Sequence, residues 1–489
     1  MNISHLDAKI LLFISTFLIF SCTDLQIQSD FSSKIQSDSH PTKGQKPNKA
    51  WCDKLGYKNY GKCVSEWAQE ELVSNFVTYP NNLNIVYFVP NDNPAVENYK
   101  ERLSKLLIYF QDYVKSEMDR NGFGKKTFGL PIDTVNHQVN IITIQGQHDQ
   151  TTYDYGSGSA ILDEINAYQD AHPEEFSSQH NLILLPQRTD GGRQPFYGWG
   201  RHGFAVDNPN IKVKEIEVTE SNLIAGMFHE LGHGLNLPHN GEKSSQVETL
   251  GTALMGSGNY TWGREPTFIT EAHAAILNRN QIFQSTPVPD IYESANTTLS
   301  PQINYDAASN SLHVEGTYTS NKAVSDVLFY LDPKISESDG DYNSATWRQS
   351  ANGSSFSATL SFDEIPAHGD YPYALRIKLL MENGSISSHG YAFEFENGEF
   401  KLNPVGVYQH SNYNGWGVEL EVGSYTTSQL EALGGVDNDI SSIRVPLGQT
   451  VTLYSEDNFT GNSYEVGPGS VWFLSSFNDK TSSIIVSEQ

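Results

Sequence analysis

Three of the twelve residues in HELGHGLNLPHN, positions 229 to 240, are histidines, in a chain of 489 residues that holds only fifteen. No other stretch restricts the local fold as much. The segment SNLIAGMFHELGHG (221 to 234) predicts a helix, because Ile224, Met227, Phe228, Leu231 and Leu235 recur at threes and fours and Ser221 is suited to cap the start. Residues four apart lie one above the other on a helix, so His229 and His233 can aim two imidazoles at one metal ion. A third histidine six positions later can join them only if the helix stops and the chain doubles back. Gly234, Asn236 and Pro238 supply the break, and Asn236 tolerates the left-handed backbone of such a reversal. His239 then becomes the third ligand. Three neutral imidazoles leave the fourth position of a tetrahedral zinc ion open to water, which becomes acidic enough there to attack a carbonyl near neutral pH. Glu230, beside the first ligand, is placed to take that proton as general base and pass it on as general acid.

The pattern HExxHxxNxxH from 229 to 239 resembles the metzincin clan of zinc endopeptidases, whose motif usually has glycine where Asn236 stands. Asparagine there, with Leu231 and Gly232, is similar to the adamalysin branch, although that branch carries aspartate where this chain has Asn240. Metzincins also place a methionine turn beneath the metal, and Met255 in GTALMGSGNYTWG (251 to 263) lies sixteen residues after His239. Some members use a tyrosine two positions beyond that methionine; Ser257 occupies the place, with Tyr260 as the nearby substitute. The resemblance implies Zn2+ held by His229, His233 and His239, Glu230 as the catalytic group, Met255 as an apolar floor, and a protein or peptide substrate. Two other readings stay open. One is a surface adhesion or calcium-binding protein whose zinc site is structural or latent, closed by a fourth ligand such as Cys52, Cys63 or Asp53. The other is hydrolysis of a non-peptide amide. There is no GxSxG elbow for a serine hydrolase, DYGSGSA (154 to 160) reads as a loop, and His202 reads as an ordinary loop histidine.

Residues 1 to 21 predict an export signal: a lysine near the start, an apolar run from 10 to 20, then Ser21 and Cys22, too short to span a bilayer stably. The segment resembles the bacterial lipobox, which implies acylation of Cys22 and a membrane partner reached through a lipid anchor, at the outer membrane or cell surface; an ordinary signal peptide and a secreted protein are the alternative. Exported chains meet an oxidising compartment, so a disulfide between Cys52 and Cys63 is expected. A net charge of −27 repels phosphate backbones and argues against nucleic acid as a partner.

Residues 22 to 66 read as a flexible tether carrying the Cys52/Cys63 loop. From 67 to 288 strand patterns (83 to 90, 139 to 144, 181 to 186) alternate with helical ones (98 to 119, 161 to 171, 270 to 283), which predicts an α/β catalytic domain of metzincin type. Period-two alternation then takes over, as in FSATLSF (356 to 362) and YAFEFE (391 to 396), and predicts an all-β immunoglobulin-like sandwich over 289 to 402.

The last segment, 403 to 489, repeats itself: YQHSNYNG (408 to 415) matches YSEDNFTG (454 to 461), and DNDISSIRV (437 to 445) matches NDKTSSIIV (478 to 486). The paired halves resemble the βγ-crystallin family, a double Greek key with a calcium signature in each copy. That resemblance implies Ca2+ held by Asp437, Asn438, Asp439, Ser441 and Ser442 in one copy and by Asn478, Asp479, Lys480, Ser482 and Ser483 in the other. The same residue types also close ordinary Asx turns.

Overall fold

The computed structural model describes residues 77 to 488, apart from 134, 137, 212–221, 336–339, 366, 368, 370–371, 397, 403, 447–448 and 468. The export signal, the tether, Cys22, Cys52, Asp53, Cys63 and the Ser221 cap lie outside the described residues.

Strand Asn84–Val89 (NIVYFV) is buried along its whole length, and its alternating side chains feed two different cores. Ile85, Tyr87 and Val89 join Leu103, Leu106, Leu107, Phe110, Val114 and Met118 of helix Tyr99–Arg120 on one face. Val86 and Phe88 meet Ile161, Leu162 and Ile165 of helix Gly158–Ala171 on the other. The sheet between these layers runs Ile142–Gln145, Asn84–Val89, Asn181–Pro186, His202–Asp207 and Tyr197–Trp199; its first four strands are parallel and the last is an antiparallel edge. Two sequence expectations change here. The helix read from 161 begins at Gly158, so part of DYGSGSA is its first turn, and His202 opens a strand instead of lying in a loop.

One buried ion pair clamps the first layer. Asp207, fully shielded from solvent, receives Arg102 Nη2 on both carboxylate oxygens at 2.7 Å and the Tyr87 hydroxyl at 2.9 Å. The phenol and guanidinium satisfy a charge that could not otherwise be buried.

The following β-region forms a three-stranded sheet (Thr297–Asp306, Ser311–Ser320, Ser355–Ser361) and a five-stranded sheet ordered Ala345–Ser350, Val324–Pro333, Pro372–Met381, Ile386–Glu396, Glu399–Leu402. Strand Pro372–Met381 sends Tyr373, Leu375, Ile377 and Leu379 into the core between the sheets. Its opposite face is partly covered too. Leu380, with Leu328 and Tyr330 of the neighbouring strand, belongs to the hydrophobic core of the α/β region, against which helix Glu271–Arg279 packs. The described residues therefore form one compact unit, with a shared core where the sequence suggests a boundary near 289. Period-two patterning identifies the inner face of a sheet; it does not announce that the outer face will be covered as well.

The C-terminal region has two four-stranded sheets that exchange strands between the repeats. Gly423–Tyr425 of the first half pairs with Ser483–Glu488 of the second, and Gly469–Val471 of the second pairs with Ser442–Val445 of the first.

Candidate metal centre

Helix Asn222–Gly234 ends as its sequence predicts. Asn236 takes φ 71°, its N–H donates to the His233 carbonyl at 2.7 Å, and the Leu237 N–H donates to Gly232 at 3.0 Å. Those two bonds are a Schellman closure with asparagine at the left-handed position, and they turn the chain so that His239 faces the helix. The ligand nitrogens of His229, His233 and His239 lie within 4.8 Å of one another.

Each ring is fixed by its other nitrogen. Nδ1 of His229 meets the Leu254 carbonyl at 3.0 Å, Nδ1 of His233 the Leu237 carbonyl at 2.9 Å, and Nδ1 of His239 the Gly340 carbonyl at 2.7 Å. A carbonyl can only accept, so all three protons sit on Nδ1 and all three Nε2 atoms present lone pairs. Burial keeps the rings neutral, drawing His229 down to about 4 and His233 to about 3, and lowers His239 as well. Two bare nitrogens, on His233 and His239, thus face each other 3.0 Å apart with no proton to share. A cation between them removes that repulsion, and the spacing is close to the ~3.3 Å that tetrahedral Zn–N bonds of about 2.0–2.1 Å would give. The donor set fits zinc.

Glu230 is 7% exposed, burial raises its carboxyl to about 8, and its Oε2 has no hydrogen-bond partner among the described residues. Met255 is fully buried beneath the helix, where a Cβ on Gly232 would come within 2.2 Å of its sulfur. The edge strand also passes close: a Cβ on Gly198 would sit 2.0 Å from His233 Cβ, so only glycine lets this strand run alongside the ligand. Asn240, at the position where the adamalysin branch has aspartate, donates from Nδ2 to Thr270 Oγ1 at 2.7 Å, the hydroxyl that caps helix Glu271–Arg279. Tyr260 is 61% exposed on its own short helix.

Sequence reasoning missed the contribution of the sandwich. Besides the Gly340 carbonyl, the loop after strand Val324–Pro333 brings Tyr342 onto His239, with ring centroids 3.8 Å apart and planes 25° apart. The same ring stands 6.1 Å from His229 at 17°. Lys334 and Arg376 hold the loop through Asp341, at 2.5 and 2.6 Å. No spacing rule links positions 239 and 342; the available signal was a tyrosine and two glycine or aspartate residues in a loop with no core role. Among the described residues, no fourth His, Cys, Asp or Glu completes this cluster.

The candidate calcium residues gather at the centre of the C-terminal region, but across the repeats. Ser441 Oγ donates to Asp479 Oδ1 at 3.2 Å, and Ser482 Oγ lies 3.5 Å from Asn438 Oδ1. Asn438 and Asp479 occupy equivalent left-handed positions, φ 54° and 52°. Each hydroxyl therefore faces the acid or amide of the other copy, where the signature suggests ligands grouped within one. Asp439 accepts from Gln409 and Trp416, Asp437 from Asn438, and Asn478 donates to Asp479. The Lys480 ammonium donates to the Ser476 carbonyl, so only its backbone oxygen can face a cation. Ser442 and Ser483 instead hold the turns of the two repeats, through His410 and Glu456 carbonyls.

With this geometry established, comparisons with known proteins fall into two groups. No protein-family model matches the chain. Solved structures of OgpA from Akkermansia muciniphila are similar to it, one of them a catalytically inactive form in complex with an O-glycopeptide (glycodrosocin) substrate: 32% identity, TM-score 0.62, covering 65% of this chain and 94% of OgpA. The wild-type OgpA structure agrees, at 32% identity and TM-score 0.61. The chain belongs to the same family as OgpA, and the likeness supports a peptidase-like enzyme. A second likeness is to Development-specific protein S of Myxococcus xanthus, 42% identical over 62 residues, 13% of this chain. The chain spans 36% of the length of that curated relative. A βγ-crystallin domain from Flavobacterium johnsoniae is 37% identical over 17% of this chain and 94% of that domain, with a TM-score of 0.17.

Proposed function

We propose that the protein is an exported, lipid-anchored zinc endopeptidase of metzincin type that cleaves O-glycosylated proteins outside the cell. The observation that carries this reading is the set of three Nε2 lone pairs turned toward one point, with Oε2 of the adjacent Glu230 lacking a hydrogen-bond partner among the described residues. His229, His233 and His239 would hold the metal, which when bound supplies Lewis acidity toward water and the scissile carbonyl. A cation held by the three histidines would offset the burial that keeps Glu230 protonated, and the ionised Glu230 then takes the proton of the attacking water and delivers it to the leaving amine. Met255 and the three carbonyls keep the rings from turning away. A structural zinc site would be closed by a fourth protein ligand; the described residues offer none, and the candidates Cys52, Asp53 and Cys63 lie outside them.

The glycosylated substrate class is taken from the O-glycopeptide bound to OgpA. It suits the exposed ring of Tyr342 over His239, with Tyr155 and Tyr260 near enough to act on its hydroxyl, since flat aromatic faces pack well on the apolar faces of sugars. The C-terminal region would bind calcium through the crossed pairs, stiffening the end of the chain. The deciding experiment compares cleavage of a defined O-glycopeptide and its unglycosylated twin by the zinc-loaded chain and by Glu230→Ala. Cleavage of the glycopeptide that disappears in the variant, with zinc retained in both, supports the proposal. Equal cleavage of both peptides would remove the substrate class, and equal activity of the variant would remove the role of Glu230.

A further inference from the structure

Strand Pro372–Met381 alternates, so the face that does not feed the sandwich core carries Ala374, Arg376, Lys378 and Leu380 toward the catalytic layer. Arg376 is neutralised there by Asp341. Lys378 is not: among the described residues it has no carboxylate partner, and its ammonium rests 4.2 Å from the centre of the Tyr330 ring. Burial lowers its pKa to about 7, the mark of a cation poorly compensated by its surroundings. Asp341 acts on it from farther off but is already paired with Lys334 and Arg376.

Lys378 lines a cavity of about 430 Å³ between the edge strand, the turn before His239 and the sandwich. Across it stands Arg201, whose guanidinium lies over the Tyr292 ring at 3.9 Å and whose Nε is buried without a hydrogen-bond partner among the described residues. His233, Asn236, Ser294 and Ser385 contribute to the polar wall, and among the described residues no aspartate or glutamate lines the cavity. In a chain of net charge −27, two uncompensated cations around one opening are unusual and need a reason.

We propose that this cavity is a substrate subsite for an oxyanion, a carboxylate or sulfate carried on a group about the size of one sugar or one side chain, held between Arg201 and Lys378 beside His233. Its volume lies within the range of ligand sites, and its polar wall can satisfy hydroxyls around the anion. The anion neutralises Lys378 and Arg201 together, which makes the subsite selective against neutral groups of equal size. The anionic group has two sources in a glycoprotein: an acidic side chain of the peptide, or an acidic sugar of its glycan. The proposal rests on the hydrolytic reading of the adjacent histidines, since only then is the bound group part of a substrate.

Binding separates the two ideas because it needs no turnover. The full chain carrying Glu230→Gln, zinc-loaded, would be titrated with N-acetylneuraminic acid, glutarate and neutral galactose, alongside the same chain with Lys378→Met, Arg201→Gln or Lys378→Arg added. The expected result is binding of at least one acidic probe and not of galactose, weakened about tenfold by Lys378→Met and by Arg201→Gln and retained in Lys378→Arg. Preference for the acidic sugar assigns the subsite to the glycan, and preference for glutarate assigns it to the peptide. Absence of binding by both acids, or binding indifferent to both neutral substitutions as for a carboxylate seated on the metal, overturns the subsite. Matched peptide substrates with and without the acidic group then read KM against kcat in the parent and in Lys378→Met. A parent that binds the acid and cleaves nothing would defeat the endopeptidase reading while leaving the anion site standing.

Discussion

Nδ1 of His239 donates a hydrogen bond to the carbonyl oxygen of Gly340, 2.7 Å away and 101 residues downstream. The orientation of the third ligand is therefore set by the sandwich, not by the segment that carries the motif. Outer partners of this kind contribute to metal affinity because they fix the tautomer and stop the ring from rotating. Asp341, adjacent to Gly340 and itself at φ 69°, is the loop's anchor through Lys334 and Arg376. Replacing it, Asp341→Ala, should weaken zinc binding about 10-fold to 100-fold, measured by chelator competition on the full chain. Affinity equal to the parent's would mean that the helix and its turn position His239 unaided.

Tyr342 separates packing from hydroxyl chemistry. Its ring covers His239 at 3.8 Å, and burial together with the nearby Glu230 charge pushes its hydroxyl up to about 12, so it stays protonated at neutral pH. Tyr342→Phe keeps the stack and should leave zinc affinity unchanged, whereas Tyr342→Ala exposes the ring of His239 and should reduce it by a few-fold. Chelator competition distinguishes the two. If Tyr342→Phe alone lowers kcat with zinc affinity intact, the hydroxyl takes part in the reaction; a loss of zinc in Tyr342→Phe would contradict the packing role.

The histidine segment illustrates how far the sequence reaches. Spacing alone predicts the pairing of His229 with His233, and the tolerance of asparagine for left-handed backbone predicts the turn at Asn236, because both depend on residues within a few positions of each other. Gly340, Tyr342 and Lys378 escaped notice because their roles depend on which face of a sheet meets another layer, a tertiary choice without local periodicity. The crossed calcium pairs escaped for the same reason: the repeat identifies Ser441 and Asp479 individually, but the strand exchange decides that they face each other.

His180 ties the end of the histidine helix to the body of the protein and should make stability depend on pH. It is fully buried, with Nδ1 donating to the Gly234 carbonyl at 2.7 Å and Nε2 2.7 Å from the Tyr292 hydroxyl. Burial lowers its pKa to about 3, against ~6.5 in an unfolded chain. Between those values the unfolded state binds the extra proton, so stability rises with pH through this window and is lost as pH falls below about 6.5. Urea unfolding of the metal-free full chain at pH 7.5 and pH 5 should show a smaller loss in His180→Gln than in the parent, although the variant starts less stable. Comparing the two proteins cancels the titration of the three metal ligands, which both retain. An equal loss in both would show that His180 contributes nothing to the pH dependence.

The calcium reading makes a prediction that depends on topology. Because Ser441 faces Asp479 and Ser482 faces Asn438, two substitutions in one copy of the signature fall in different sites, and two substitutions in different copies can fall in the same site. Hydroxyl and carboxyl oxygens at such loops suit calcium, and a ligand that binds only the folded state raises the melting temperature by an amount that grows with the logarithm of its free concentration over its Kd. Calcium titration of the full chain should give two ions for the parent. Ser441→Ala with Asp479→Ala, taken from different copies, should leave one ion. Ser441→Ala with Asn438→Ala, both from the first copy, should weaken both sites and abolish most of the thermal shift. If the second pair instead retains one intact ion and the first pair loses both, each copy builds its own site and the crossed arrangement does not govern binding; if calcium shifts the melting of none of the proteins, the region is a closed β-fold whose Asn, Asp and Ser residues serve its turns.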